Sequence, residues 1–405
     1  MLISLFPALA VLAEDGAGEF EQPWRLGGFG TLGGAWSSVD TYEFRRDATQ
    51  APTGVSGGAG SASVDSRLGL QLNYRLSPEW EAVAQGLVRY RYDASWRPEL
   101  SWGFLSYTPD AALSLRAGRL GLDIYPLSDS ANVGYSYLTV RPPPDYYGGI
   151  PMQSFDGADI SYTWPLGADV VRAKAYLGAA RGKAPADPQG GVFVLDGSPI
   201  AGAYLEYLSE RWTARLGYSR IEVAEELPFP EVFELLRHGG IPGGPALAEQ
   251  LAVKDKRYGY WAAALGYQDG PLQTQFAGSV FSSDSYSLPD YYAGFAQIGY
   301  RLGAFTPYGY ISAAHSPDAP PASGLPPWPV LAPLEDAVAR MIESNMNDVR
   351  SYALGVRWDF AQNFALKAQV ERIRGTHSLV LWVVPPGMPQ PFQTTVLSAT
   401  VDFAF

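Results

Sequence analysis

The sequence predicts an all-β protein, an antiparallel transmembrane β-barrel of about sixteen strands with short turns at one end and long loops at the other. Three observations point there. Apolar and polar residues alternate through segment after segment. Short and long connections between those segments also alternate. Tyrosine and tryptophan are abundant, 25 and 11 of 405 residues, as suits side chains at two membrane–water interfaces.

In chain order, MLISLFPALAVLA comes first. Residues 1–13 are uncharged and mostly apolar, and Val11-Leu12-Ala13 resembles a small-residue cleavage site. The segment reads as a secretory signal with an atypical start, since no Lys or Arg precedes the apolar run; the mature chain is expected from Glu14. No later stretch approaches the ~18–20 apolar residues of a membrane helix. Any crossing is therefore made by strands.

The strands announce themselves by a period of two, because successive side chains point to opposite faces. In Asp65 to Leu76, Leu68, Leu70, Leu72, Tyr74 and Leu76 share one face, and Arg67, Gln71, Asn73 and Arg75 the other. From Trp80 to Tyr92, the face of Trp80, Ala82, Ala84 and Val88 opposes Glu81, Gln85, Arg89 and Arg91. Val171, Ala173, Ala175 and Leu177 oppose Arg172 and Lys174. Leu354, Val356, Trp358 and Phe360 oppose Arg357 and Asp359; Leu366, Ala368 and Val370 oppose Lys367, Gln369 and Glu371. The final stretch LSATVDFAF places Leu397, Ala399, Val401, Phe403 and Phe405 on one face. Charged faces on long strands need water, since unpaired buried charge is very costly. The predicted arrangement puts the apolar faces against lipid and the polar faces around an aqueous lumen.

Connections sharpen this. Short ones fall at Ser77–Glu79, Pro109–Ala111, Pro165–Gly167, Ser209–Arg211, Asp269–Pro271, Leu302–Ala304 and Ala361–Asn363. Long ones fall near Asp40–Ser63, Ala94–Pro98, Leu122–Ser154, Arg181–Gly197, Ala224–Lys254, Ser283–Pro289, Ser316–Asn347 and Thr376–Phe392. The series begins and ends with a long loop, which places both termini on the short-turn side. Pro230 with Gly239, and the stripe Leu334, Val338 and Ile342, mark short helices within two of the loops, packed over the rim.

Composition excludes other classes. A net charge of −12 repels phosphate backbones, which argues against nucleic acid. The chain has no cysteine, so disulfides and thiolate metal sites are excluded. His238, His315 and His377 are scattered, no metal-ligand or triad spacing occurs, and no cofactor is expected.

The third long loop, Leu122–Ser154, stands apart. It holds Pro142-Pro143-Pro144 and Pro151, five tyrosines (Tyr125, Tyr135, Tyr137, Tyr146, Tyr147), and Asp123, Asp129 and Asp145. Proline and packed tyrosine suit a fixed shape.

Alternating strands, the turn–loop rhythm, the elaborate third loop and Phe405 together resemble the general bacterial porins of the outer membrane. The resemblance implies a trimeric passive-diffusion channel for small solutes and ions, set in outer-membrane lipid. It implies that Val396–Phe405 is read by the barrel-assembly machinery and that Leu122–Ser154 folds inward as a constriction. It also implies acidic loop groups facing basic wall groups. The candidates are Asp123, Asp129 and Asp145 on the loop, with Arg67, Arg89, Arg91, Arg116, Arg119, Arg172 and Lys174 on the wall. Rings of charge in a narrow wet pore bias which ions enter. Each of these residues, taken singly, also fits a solvated lumen group. The other readings are a substrate-specific porin with a lumen binding site, an outer-membrane barrel enzyme, and a soluble glycan-binding β-protein that stacks sugars on Tyr and Trp.

Overall fold

A computed structural model describes residues 22–128, 130–186, 190–317, 323–383 and 391–405. The expected signal segment and Glu14 lie outside the described residues. Sixteen long strands form one sheet: β1 Trp24–Ser37, β2 Arg67–Arg75, β3 Trp80–Arg89, β4 Glu99–Tyr107, β5 Leu113–Gly121, β6 Ser154–Leu166, β7 Asp169–Arg181, β8 Pro199–Leu208, β9 Trp212–Glu222, β10 Arg257–Asp269, β11 Leu272–Ser283, β12 Tyr291–Tyr300, β13 Phe305–His315, β14 Asp348–Ala361, β15 Phe364–His377 and β16 Phe392–Ala404. Neighbours pair antiparallel in sequence order. The sheet closes where β1 pairs with β16, from Phe29 opposite Ala404 to Ser37 opposite Val396. Closure leaves no open edge, the one way a sheet can satisfy its backbone polar groups in hydrocarbon. None of the described helices is long and apolar enough to cross a membrane.

The side chains divide as the period of two requires. Leu68, Leu70, Leu72, Leu177, Leu354, Leu366 and Leu397 are exposed on the outer wall, Leu177 at 67%. Their inward neighbours Arg67, Lys174, Lys367, Gln369, Glu371 and Asp402 are buried. Aromatic pairs mark the short-turn end: Trp80 with Tyr107 (4.6 Å between ring centroids), Trp212 with Tyr267 (4.5 Å) and Phe305 with Trp358 (5.6 Å). Tyr218 with Trp261 (4.7 Å) marks the loop end. These are the two girdles expected of a barrel whose ends meet lipid headgroups.

The seven short turns and eight long loops fall close to where the sequence puts them, but β3 ends at Arg89, so the second loop starts earlier than expected and takes in Tyr90, Arg91 and Tyr92. The predicted helices form as α2 Pro230–His238 and α4 Ala332–Glu343. Two more were not anticipated: α1 Pro144–Tyr147 inside the third loop, and α3 Gly244–Leu251. Both begin with a proline in the first turn, but α1 is too short to show helical periodicity. Apolar side chains from the first, third, fourth, fifth and seventh loops, including Phe44, Tyr146, Phe193, Leu236 and Val338, pack into one buried cluster with inward wall residues such as Tyr260 and Phe295.

Candidate functional site

The third loop leaves the wall at Gly121 and returns at Ser154. Its root is closed by a hydrogen bond from the Leu122 amide to the Gln153 carbonyl (2.9 Å). Directly after Leu122, the Asp123 carboxylate meets Lys174 Nζ of β7 at 2.9 Å and the Arg215 guanidinium of β9 at 2.7 Å. Lys174 also reaches Asp159 of β6 (3.2 Å), and Asp159 holds Arg116 of β5 (2.5 Å). Charges of alternating sign thus run from β5 through β6 and β7 to the third loop and on to β9. Burial alone would raise the Asp123 carboxyl, but Arg215 and Lys174 outweigh it and hold the group well below the usual carboxylate range. The Arg215 guanidinium carbon lies over the Tyr204 ring, 3.6 Å from its centroid.

The middle of the loop binds a different part of the wall. Lys367 Nζ of β15 donates to the carbonyls of Gly134 (2.6 Å) and Thr139 (2.9 Å) and pairs with Asp402 of β16 (3.1 Å). The Thr31 hydroxyl of β1 donates to the same Asp402. A side chain at Gly134 would strike Asp402 and Thr31, so this close approach needs glycine. Arg357 of β14 donates to the carbonyls of Tyr135 (2.9 Å) and Tyr137 (3.0 Å). Arg141 is fully buried against Asp65, Glu371 and the Ser398 hydroxyl. The loop that starts at β5 is therefore bonded to β14–β16 and packed against Thr31 of β1, having crossed the barrel interior.

At its far turn, the loop forms α1. The Asp145 carboxylate accepts a hydrogen bond from the Ser312 hydroxyl of β13 (2.6 Å). Burial pushes this carboxyl above the usual range, and the Ser312 bond offsets only part of that. Tyr125 packs edge-on with Tyr146, Tyr147 and Tyr260, and Tyr146 packs edge-on with Tyr147 and Phe295. Below this cluster, towards the short turns, lies a cavity of about 310 Å³. Its wall is rich in Gln71, Gln85, Gln268, Gln273, Gln275 and Gln297, and it includes Arg301, Arg357 and Asp359. Above the cluster lies a second cavity of about 160 Å³ with a mainly apolar lining.

The residues singled out from sequence divide into groups. Arg116, Lys174 and Asp123 come together in the root cluster. Arg67 is buried and donates to Asn132 of the third loop (3.0 Å). Arg89 meets Glu99 (2.8 Å) and Thr49, and Arg91 shares Glu99 (3.7 Å). Arg119 pairs with Asp156 (2.7 Å), and Arg172 with Glu206 (3.5 Å). Asp145 lies at the far wall, and Asp129 lies outside the described residues. Sequence reasoning passed over Asp65, Arg141 and Arg215. Arg215 is signalled by its inward place in an alternating strand, whereas Arg141 sits in a loop where no period exists. His238 pairs with exposed Glu234 (2.9 Å), His315 with Asp348 (3.6 Å), and His377 lies beside Thr376 (2.9 Å), all on the loop side. Among the described residues, no group of His, Cys, Asp and Glu side chains could hold a metal ion.

No family model matches the sequence, and no curated protein matches it. Solved structures match its fold. An OmpT outer-membrane protein of Vibrio cholerae, solved in a trimer form, aligns with a TM-score of 0.53 at 12% identity over 95% of this chain and 100% of its own. OmpF of Salmonella typhi, in complex with daunomycin, gives 0.54 at 8% identity over 94% and 97%. An anion-selective porin from Comamonas acidovorans gives 0.50 at 15% identity over 94% and 99%. At these identities, the similarity is one of fold.

Proposed function

We propose that this chain, which has the sixteen-stranded barrel fold of outer-membrane porins, is an outer-membrane channel through which small hydrophilic solutes and ions diffuse passively. The observation that supports this best is the division of the closed sheet. Its outer face is an apolar band between aromatic girdles, and its inner face holds buried charge and the amide-lined lower cavity. Nothing in this reading requires the chain to make or break a covalent bond.

In the same proposal, Leu122–Ser154 is the constriction loop. The charges that bias passage are those of its root, Asp123, Lys174, Arg116, Asp159 and Arg215, with Arg67, Arg89, Arg91, Arg119 and Arg172 adding to the field along the wall. Asp129 and Asp145 complete the acidic set. The protein assembles as a homotrimer, and Val396–Phe405 presents the strand that the barrel-assembly machinery reads. The test is purification followed by planar-bilayer recording. Discrete conductance steps that depend on detergent-solubilised, folded protein are expected, with a reversal potential in asymmetric salt. A protein that stays monodisperse in plain buffer and opens no channels would overturn the proposal.

A further inference from the structure

The upper cavity differs in chemistry from the lower one. Ile124, Ile150 and Met152 of the third loop line the upper cavity together with Phe193, Leu195 and Ile221. Along one side, Phe281 stacks between Tyr258 (5.9 Å, 15°) and Tyr291 (5.1 Å, 20°). Arg45 also reaches the cavity, with its guanidinium engaged by the carbonyls of Gln50 (3.0 Å) and Leu379 (2.8 Å). Its volume, about 160 Å³, is that of an enclosed apolar space that takes up one benzene ring, ~150 Å³.

A second observation is independent of the first. Between the two cavities stands a septum of rings: Tyr260 lines the upper cavity, Tyr147 and Phe295 line the lower, and Tyr125 and Tyr146 lie in contact with them. The hydroxyls of Tyr146, Tyr147, Tyr260 and Ser279 are buried and make no hydrogen bond of regular geometry. Ser279 and Tyr146 lie beside the Tyr260 hydroxyl and Gln275 beside that of Tyr147, so each is at best weakly partnered. Buried hydroxyls are costly to leave unpaired. A visiting polar group would satisfy them.

We propose that the upper cavity binds a neutral, single-ring aromatic solute bearing a hydroxyl or carbonyl group, and passes that group to the tyrosine hydroxyls of the septum. The apolar walls hold the ring. Tyr260, at the cavity floor, meets the polar substituent first, and Tyr146 and Tyr147 meet it next. This rests on the channel reading above and names a solute class for it.

The experiment uses the full chain in planar bilayers with phenol as probe, cyclohexanol as its non-aromatic counterpart and benzoate as its charged one. Phenol is expected to block the current saturably. Cyclohexanol should do so roughly tenfold more weakly, because a saturated ring is thicker and does not stack. Ala184→Phe, which places a ring in the cavity, should weaken the phenol block by about the same factor. Tyr260→Phe should weaken phenol block while keeping the wall. Equal block by phenol and cyclohexanol, or no loss in Ala184→Phe, overturns the site while leaving the channel standing. Stronger block by benzoate overturns the neutral solute class. If folded protein opens no channel, the channel reading fails. Saturation-transfer NMR of phenol on solubilised wild type against Ala184→Phe then decides the site: a signal lost in the variant supports it, and an equal signal overturns it.

Discussion

Arg141 and Asp65 form a two-point ion pair closed off from solvent. Arg141 Nε donates to one carboxylate oxygen of Asp65 at 2.9 Å and a terminal nitrogen reaches the other at 2.5 Å, with both side chains at 0% exposure. One lies on the third loop and the other at the end of the first, so the pair fastens the two loops together inside the barrel. Arg46 adds a second cation to Asp65 at 3.3 Å. Burial would raise the Asp65 carboxyl, but Arg141 with Arg46 and Arg67 outweighs it and keeps the group ionised.

Arg141→Ala should leave Asp65 and Glu371 as poorly compensated buried charges. Breaking such a pair costs about 3–5 kcal/mol. The loss should appear as faster hydrogen exchange across residues 134–141 and a lower thermal midpoint. Arg141→Lys should not restore either, because an ammonium cannot span two carboxylate oxygens as the planar guanidinium does. Unchanged exchange in the alanine variant would show that the pair does not hold the loop.

Asp145 gives a pH dependence of the opposite sign. Its carboxyl is raised above the ordinary 3.8 by burial, so the folded chain binds this proton more tightly than the unfolded chain. The penalty is fully present above the raised value. It fades as pH falls through that value, and is gone below 3.8. Asp145→Asn should therefore melt higher than wild type at neutral pH, and the difference should shrink on acidification. A variant that melts lower at neutral pH would contradict the burial argument.

The root cluster predicts selectivity. Replacing Lys174 and Arg116 with Met leaves Asp159 without its two cations and Asp123 with Arg215 alone. Reversal potentials in asymmetric salt should move towards cation preference. The shift should be largest at low ionic strength, where the Debye length of about 30 Å at 0.01 M lets the charges act across the lumen. No shift would remove this cluster from the conduction path.

Phe405 packs on the outer wall over Gly28, with two backbone hydrogen bonds of 2.9 Å between them. A Cβ at Gly28 would lie 2.6 Å from the Phe405 ring, so Gly28→Val should push the ring off the seam between β1 and β16. We expect a smaller heat-modifiable fraction on unheated gels for Gly28→Val and for Phe405→Ala. The larger defect should come from Gly28→Val, which also crowds Leu70. Normal assembly of both variants would separate Phe405 from barrel closure.

Much of this architecture was legible beforehand. Leu68, Leu70 and Leu72 against Arg67 and Asn73 already assign an outer and an inner face, and the connection lengths assign the two ends. Helix α1 was not legible, because four residues cannot display a period of 3.6. The root cluster was half legible: Lys174 and Arg116 were marked as inward cations, but not that Asp123 would sit against Lys174 and Arg215 in direct contact.

The approximate strand number and the division of each strand into an apolar and a polar face belong to the sequence, because a period of two is local and any residue two positions away repeats it. Closure joins Phe29 to Ala404 and belongs to the tertiary structure. Which inward charge meets which, where Arg141 ends, and how the tyrosines of the third loop part an apolar cavity from a glutamine-rich one belong there too. Those contacts join residues as far apart as Gly134 and Lys367. Their choice depends on how one aperiodic loop fills a closed space, and no local pattern encodes that.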